Sequence, residues 1–441
     1  MLLINPRSRR FIILVLLVAT LTLLLLVVDG PRAYFEKHFT NHKDPNEPPH
    51  PEYLPEPTWL PPAVQDPFPA LATSTPPPIP EWNVPKKKLH KKYGIEYAPP
   101  LLIGFTRSWP MLLQAVVSYI TAGWPAEQIY VVENTGVQRA NLEGKLTLQN
   151  PYYINYEQLK KLGVNVIRTP VLMNFAQLQN YYIHLSHEHD WPYYFWSHMD
   201  VLALSYESGQ KGVTPWASDP KYKTVYELCL TELNYTLHTE TRWANVFFAY
   251  DHLALVNREA YEDVGGWDTF IPYYMTDCDM HSRLNMAKWR QRDAKAGIIT
   301  DVSTVLDDLG ALYRNTSIVP RFTDPNPPPP KPDDGKAKRH VTPRDEGEAL
   351  KYWRSLSKIA EEMSHYKHGD RERNVWQVGQ KGGRGEPFYY PATGIEQAID
   401  ILTEAGREIF RKKWGHRDCE LIRGGGLQAD DMWRVKQDWR D

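Results

Sequence analysis

Apolar residues run from Phe11 to Val28, interrupted only by Thr20 and Thr22. Eighteen helical residues rise about 27 Å, close to the core of a thin bilayer. After a long proline-rich stretch the pattern changes to short apolar runs bounded by turns. Leu101-Leu102-Ile103-Gly104-Phe105 predicts a buried strand, and Pro110 opens a helix through Ile120 that Gly123 stops. Strands follow at Gln128–Asn134, Val164–Ile167 and Tyr193–Ser197, with a helix capped by Asn174 and running to about His189 between the last two. Strands alternating with helices predict an α/β layer architecture with a mostly parallel central sheet. Beyond Asp200 come short strands at Val246–Ala249 and Leu253–Val256, then a helix from Asn257. Two late helices are predicted at about Glu348–Met363 and Gly394–Lys413.

The flanks of the first apolar run set its expected orientation. Arg7, Arg9 and Arg10 precede it, which favours a cytoplasmic N-terminus. The run is long for a cleaved signal peptide, and no small-x-small site follows it. The expected organisation is a tail at 1–10, a transmembrane signal anchor at 11–28, a stem at 29–95 and a lumenal domain at 96–441. A Pro-rich insertion is expected around 320–347. Fifteen of the 37 prolines lie between Pro45 and Pro85, so the stem is expected to be extended and partly disordered. The span length suits an early secretory membrane, with the Golgi or ER as the expected location. Asn234-Tyr235-Thr236 and Asn315-Thr316-Ser317 are N-glycosylation sequons, which agree with a lumenal domain.

A formal net charge of -2 gives no case for nucleic-acid binding. Three cysteines define no disulfide framework, although one pair is compatible with an oxidising lumen. Cys278 reads as a small buried filler, not a nucleophile.

Ligands of parallel sheets sit at the carboxyl ends of the strands. The polar residues there are Thr106-Arg107, Glu133-Asn134 and His198-Met199-Asp200. In an extended chain His198 and Asp200 point the same way and can share a divalent cation. A lone His-x-Asp is more often a satisfied histidine beside a capping aspartate. Val264-Gly265-Gly266-Trp267-Asp268 then makes a tight turn before a helix carrying Asp277 and Asp279. These two carboxylates diverge by about 200° on a helix and must do different jobs. Either a structural cap or an active-site acid/base fits them.

Taken together, the chain resembles the GT-A-fold glycosyltransferases, single-pass secretory enzymes with a short tail, an anchor, a stem and a Rossmann-like lumenal domain. The resemblance covers residues 98 to 310. It rests on Val131-Val132-Glu133-Asn134, on His198-Met199-Asp200 at the place of the family's metal-binding D-x-D, and on Leu253 through Leu284. That last segment is similar to the one in β1,4-galactosyltransferases and polypeptide N-acetylgalactosaminyltransferases. The resemblance implies Mn2+ (or Mg2+) on Asp200 and His198, with His198 alternatively touching the donor ribose. It implies nucleotide contacts for Glu133, Thr106, Arg107, Gln177 and Asn180, and a general base at Asp277. Asp279 is implied to bind sugar hydroxyls, and Gly265, Gly266 and Trp267 to line the sugar site, although a core role suits Trp267 as well.

A third metal ligand is unassigned. Asp301-Val302-Ser303 and Asp307-Asp308 occupy the nearest comparable stretch, and His340 and His416 are further candidates. The chain departs from the family in having His first in the metal motif and Thr276 where the galactosyltransferases carry Glu. The expected function is hexosyl or N-acetylhexosaminyl transfer from a nucleotide diphosphate sugar to a glycan, glycoprotein or glycolipid, with inversion. A UDP-sugar is favoured over GDP-mannose as donor. Retaining transfer and a non-catalytic scaffold are the alternatives.

Overall fold

Alternating burial along β1 (Leu101–Phe105) shows how the central sheet is covered. Leu101, Ile103 and Phe105 enter one core, and Leu102 enters another on the opposite face. The same alternation marks β4 (Tyr193–Ser197) and β7 (Leu253–Asn257), as expected of a sheet buried on both sides. The computed structural model describes residues 6–27, 51–53, 55, 63–323, 347–368, 383, 385–386 and 392–438. His340 and most of the expected 320–347 insertion lie outside the described residues, as does the stem at 29–50.

The seven strands run in the order β3-β2-β1-β4-β7-β6-β8. Here β2 is Ile129–Glu133, β3 Asn165–Arg168, β6 Trp243–Phe247 and β8 Arg290–Asp293. Four neighbouring pairs are parallel, and β7 runs antiparallel to both β4 and β6. The fold is therefore Rossmann-like α/β with a mostly parallel sheet. A small second sheet pairs β5 (Val201–Leu204) with β9 (Ile298–Asp301) in antiparallel register.

Helices α2 (Trp109–Thr121) and α5 (Val225–Thr239) pack on one face of the main sheet. On the other face lie α4 (Phe175–Glu188), α6 (Arg258–Asp263) and α7 (Thr276–Met286), while the short α3 (Tyr156–Leu162) lies beside β3 and buries Leu159 and Leu162 in the core of the first face. The strand order reverses between β1 and β4, and the crevice outside their carboxyl ends is where such sheets bind ligands.

Two late helices complete the domain. The helix α8 (Glu348–His368) lies against β9, and α9 (Ala392–Trp414) packs on α7. Gly406 lets α9 come close, because a Cβ there would lie 2.3 Å from the Tyr274 carbonyl oxygen. Ile271, Met286, Phe410, Trp414 and Leu421 form a separate small core behind α7.

The expected stem divides. Residues 63–95 are packed on the domain, with Phe68, Leu71, Leu89 and Ile95 buried in the main core. The Asn83 amide donates to Glu207 at 2.9 Å and to the Thr121 carbonyl at 2.8 Å. Its prolines leave only short helical turns at Ala70–Thr73, Glu81–Asn83 and Leu89–Lys92 and do not prevent burial, so this stretch is a strap and not a free stem.

In the N-terminal unit the helix α1 (Pro6–Val27) takes in residues 11–27 of the expected anchor, and exposed apolar side chains run along it from Ile13 to Leu23. Among the described residues no helix is long and apolar enough to cross a membrane.

Candidate active site at the carboxyl edge of the sheet

Strand β4 ends at Ser197, and the chain turns at Met199-Asp200 before entering β5. The extended geometry that would aim His198 and Asp200 together is therefore absent, and the two side chains find different partners. In the β5–β9 ladder Val201 stands opposite Asp301, and the Val302 amide donates to the Asp200 carbonyl at 2.8 Å. That register brings the carboxylates of Asp200 and Asp301 together. Between them lies Lys367, its Nζ 2.6 Å from Asp200 Oδ2 and 2.9 Å from Asp301 Oδ2. Asp301 Oδ1 takes His368 Nε2 and lies 3.4 Å from His252 Nε2.

A single turn ties this cluster to the other walls. Tyr250-Asp251-His252 forms one 3-10 turn between β6 and β7. The Tyr250 hydroxyl donates to Asp277 Oδ2 on α7 at 2.7 Å. Asp251 Oδ2 is 3.3 Å from His198 Nε2, and His252 reaches Asp301. Ala249 and Tyr250 both have positive φ, 70° and 53°, and so has Met275 before α7, at 70°. Non-glycine residues in that region cost about 1–3 kcal/mol each and cluster at functional sites.

Charge within the site is balanced locally. Burial alone would lower the His198 pKa, but the Asp251 carboxylate more than offsets it and Asp200 adds to the effect, so the imidazole is held above its ordinary value. Burial would raise Asp251, yet His198 and then His252 and His281 hold it down. His252 is lowered by burial, against the pull of Asp301. Burial also lowers His281, against Asp277 and Asp251. Burial would raise the Asp301 carboxyl, but Lys367, His252 and His368 together hold it well below the ordinary carboxylate range. Thr106 and Arg107 follow β1 at the same edge. The Arg107 guanidinium is lowered by burial, while Tyr273, Tyr152 and Asp200 pull the other way.

The remaining predicted positions separate into the site and its supports. Asp277 is partly exposed and faces the turn. Asp279 is fully buried behind it, accepting from Arg283 Nε at 2.8 Å and Trp414 Nε1 at 2.9 Å, with Lys413 Nζ at 2.6 Å. Cys278 is bonded to Cys419 and so is not a filler thiol, whereas Cys229 is the buried free cysteine.

Gln177 closes a capping box with Asn174 at the start of α4. Asn180 accepts from the Trp267 amide at 2.8 Å and donates to its carbonyl at 2.9 Å. Gly266 is required there, having φ 70° and a Cβ position 2.7 Å from Asn180 Oδ1. Gly265 has φ 82° in the same turn, and Trp267 is buried in the core beneath. Glu133 is buried and accepts from Tyr156 at 2.6 Å and Thr135 at 3.0 Å, and its burial raises its pKa despite those bonds. Asp307 pairs with Arg321 at 3.0 Å, and His416 with Asp438, neither of them in the cluster.

A divalent ion on His198 and Asp200 does not fit this arrangement. Among the described residues no three His, Cys, Asp or Glu side chains stand together to hold a metal. His198 faces Asp251 and not Asp200, the imidazoles of His252 and His368 act through Asp301, and the space between Asp301 and Asp200 holds an ammonium. Sequence reasoning named Asp301 only as part of a stretch and assigned no role to Asp251, His252 or Lys367.

No protein-family model matches the sequence, and no curated protein matches it either. Among solved structures, a mannosyltransferase, PcManGT from Pyrobaculum calidifontis in complex with GDP-Man and Mn2+, aligns with TM-score 0.29 and 11% identity. The alignment covers 47% of this chain and 60% of that one, less than two thirds of its length. A cytidylyltransferase from Leptospira borgpetersenii aligns with TM-score 0.27 and 12% identity, over 44% of this chain and 75% of that one. At this level of likeness neither alignment establishes a shared function, and the fold assignment rests on the strand order and register.

Proposed function

We propose that the chain is a glycosyltransferase that moves a sugar from a nucleotide diphosphate sugar to a hydroxyl of a glycan, glycoprotein or glycolipid, with inversion. The observation that carries this reading is the strained turn Tyr250-Asp251-His252, whose three side chains join Asp277, His198 and Asp301 around the β1/β4 crevice. A carboxylate on one wall and a cationic group on another suit displacement at a sugar carbon between them. Asp277 takes the proton of the attacking hydroxyl as the new C–O bond forms. The bond from the sugar carbon to the phosphate oxygen breaks, and its electron pair leaves on the diphosphate. Positive groups at that end, Lys367 and Arg107, oppose the growing charge. A UDP-sugar is the favoured donor.

The test is a panel of UDP-galactose, UDP-N-acetylglucosamine and GDP-mannose with the full chain in detergent, offered mixed glycan acceptors. One donor at 100 times its Kd should stabilise the fold by about 2.7 kcal/mol and give acceptor-dependent product. Donor hydrolysis without acceptor dependence, or no stabilisation by any donor, would remove the assignment.

The reading includes a type II placement in the Golgi or ER, which rests on the apolar run at 11–28 and the three arginines before it and not on the described length of α1. A lumenal domain would meet the glycosylation machinery, and the two sequons differ in access. Asn234 sits within α5 and donates its amide to the Tyr93 carbonyl at 2.7 Å, whereas Asn315 is exposed in a turn. Glycopeptide mass spectrometry of secretory-pathway material should find glycan at Asn315 and not at Asn234. Occupancy at Asn234 would contradict the packing of α5 against the strap.

A further inference from the structure

The buried side of α8 is a stripe of Trp353, Leu356, Ala360, Met363 and Lys367. The spacings of three and four residues are those of one helical face. Lys367 thus takes the next core position after four apolar residues, and its side chain is only 4% exposed. Lysine is almost never fully buried without a partner, because desolvating an ammonium is costly. Here it has two, Asp200 Oδ2 at 2.6 Å and Asp301 Oδ2 at 2.9 Å. Its place in the last turn of α8 adds a favourable interaction with the helix dipole.

The same two oxygens are those that a divalent cation at this strand end would need, at about 2.0–2.1 Å for Mg2+. Such an ion would have to displace an ammonium already held by both carboxylates. An ammonium has three N–H donors. Two are directed at Asp200 and Asp301, and the third has no partner among the described residues.

We propose that Lys367 is the resident cation of this site, holding the place of a divalent ion between Asp200 and Asp301 and giving its third N–H to the diphosphate of the donor. This rests on the transferase reading above and replaces the Mn2+ expected from the resemblance. The two carboxylates then act as positioning residues. They fix the ammonium and hold it charged.

The experiment uses the full chain in detergent with UDP, GDP and CDP as probes, measured by melting temperature and equilibrium binding in EDTA and in Mn2+. At least one nucleotide should bind in EDTA with a Kd within about threefold of its value in Mn2+. Lys367→Ala should weaken binding in EDTA about tenfold or more, the size of one charge-assisted hydrogen bond. Mn2+ should restore part of that loss, because the vacated carboxylates become a cation site, and an alanine variant that folds and binds nucleotide in EDTA as the original does would make the lysine purely structural and overturn the proposal. Lys367→Arg should keep binding in EDTA and serves where the alanine variant fails to fold. Wild-type binding that disappears in EDTA and returns with Mn2+ would overturn the proposal and leave the transferase reading standing. Absence of nucleotide binding in both conditions would overturn the transferase reading itself, and the role of Lys367 with it.

Discussion

Asp277→Asn is expected to lower acceptor-dependent sugar transfer by about 10²–10⁴-fold, the usual contribution of a positioned general base. The fold and nucleotide binding should survive. Asp277 is partly exposed in the first turn of α7, and asparagine keeps an oxygen for the Tyr250 hydroxyl that now donates at 2.7 Å. The stability lost is the interaction of a carboxylate with a helix N-terminus, about 0.3–1 kcal/mol. Its surroundings suit a proton acceptor. Tyr250 fixes one oxygen, and burial lowers the pKa of nearby His281, so that ring does not compete as a charged partner. The decisive measurement is product formation per folded molecule beside nucleotide affinity. A variant that binds nucleotide as before and transfers at a near-normal rate would remove Asp277 from the chemistry. If transfer falls with Tyr250→Phe by a smaller factor, the hydroxyl positions the base and does not replace it.

Much of the scaffold was legible in the chain, and the reason is periodicity. The runs at 101–105, 129–133 and 193–197 are short, apolar and bounded by turns, and they form the strands expected of them. Asn174 announced α4 through its capping box. An equal signal stands at Thr224-Val225-Tyr226-Glu227, which opens the fifteen-residue helix α5 with the same kind of box. The prolines of the strap were legible as a lack of strand and of any helix longer than one turn, but burial of Phe68 and Leu71 depends on a surface that local sequence does not specify.

The site was half legible for a related reason. Asp200 and Asp277 end or start regular elements, where pattern points to them. Asp301 reaches Asp200 only through the β5–β9 register, and Lys367 arrives from a helix 167 residues away in sequence. Side chains expected near the nucleotide are also tied into the scaffold. Asn180 holds the Trp267 backbone at both ends, and Glu133 is enclosed by Tyr156 and Thr135. Lysine at a core position of an otherwise apolar stripe was the one local sign of a charged cluster beneath α8.

Asp279→Asn is expected to act on stability, by about 3–5 kcal/mol, in contrast to its neighbour two residues earlier. The carboxylate is fully buried and both of its oxygens are engaged. Oδ2 takes Arg283, and Oδ1 takes Lys413 at 2.6 Å and Trp414 at 2.9 Å. An amide in this position turns NH2 toward donors and leaves two cations short of their counter-charge. Lys413 retains Asp268 at 2.7 Å, and Arg283 retains the Val264 carbonyl at 2.6 Å, so the domain is weakened and not abolished. The Cys278–Cys419 disulfide joins the same two regions, which makes Asp279 part of the brace that fixes α7 against α9 and the chain beyond it. Thermal melting should show a fall of roughly 5–10 °C. At a temperature where the variant is folded, transfer per molecule should stay within about threefold of the original, because Asp277 stands on the other side of the helix. The opposite result, an unchanged melting temperature with transfer lost, would make Asp279 a sugar-binding residue. It would also require the Lys413 and Trp414 contacts to open during turnover. The two substitutions together assign the divergent carboxylates of α7, one by rate and the other by melting.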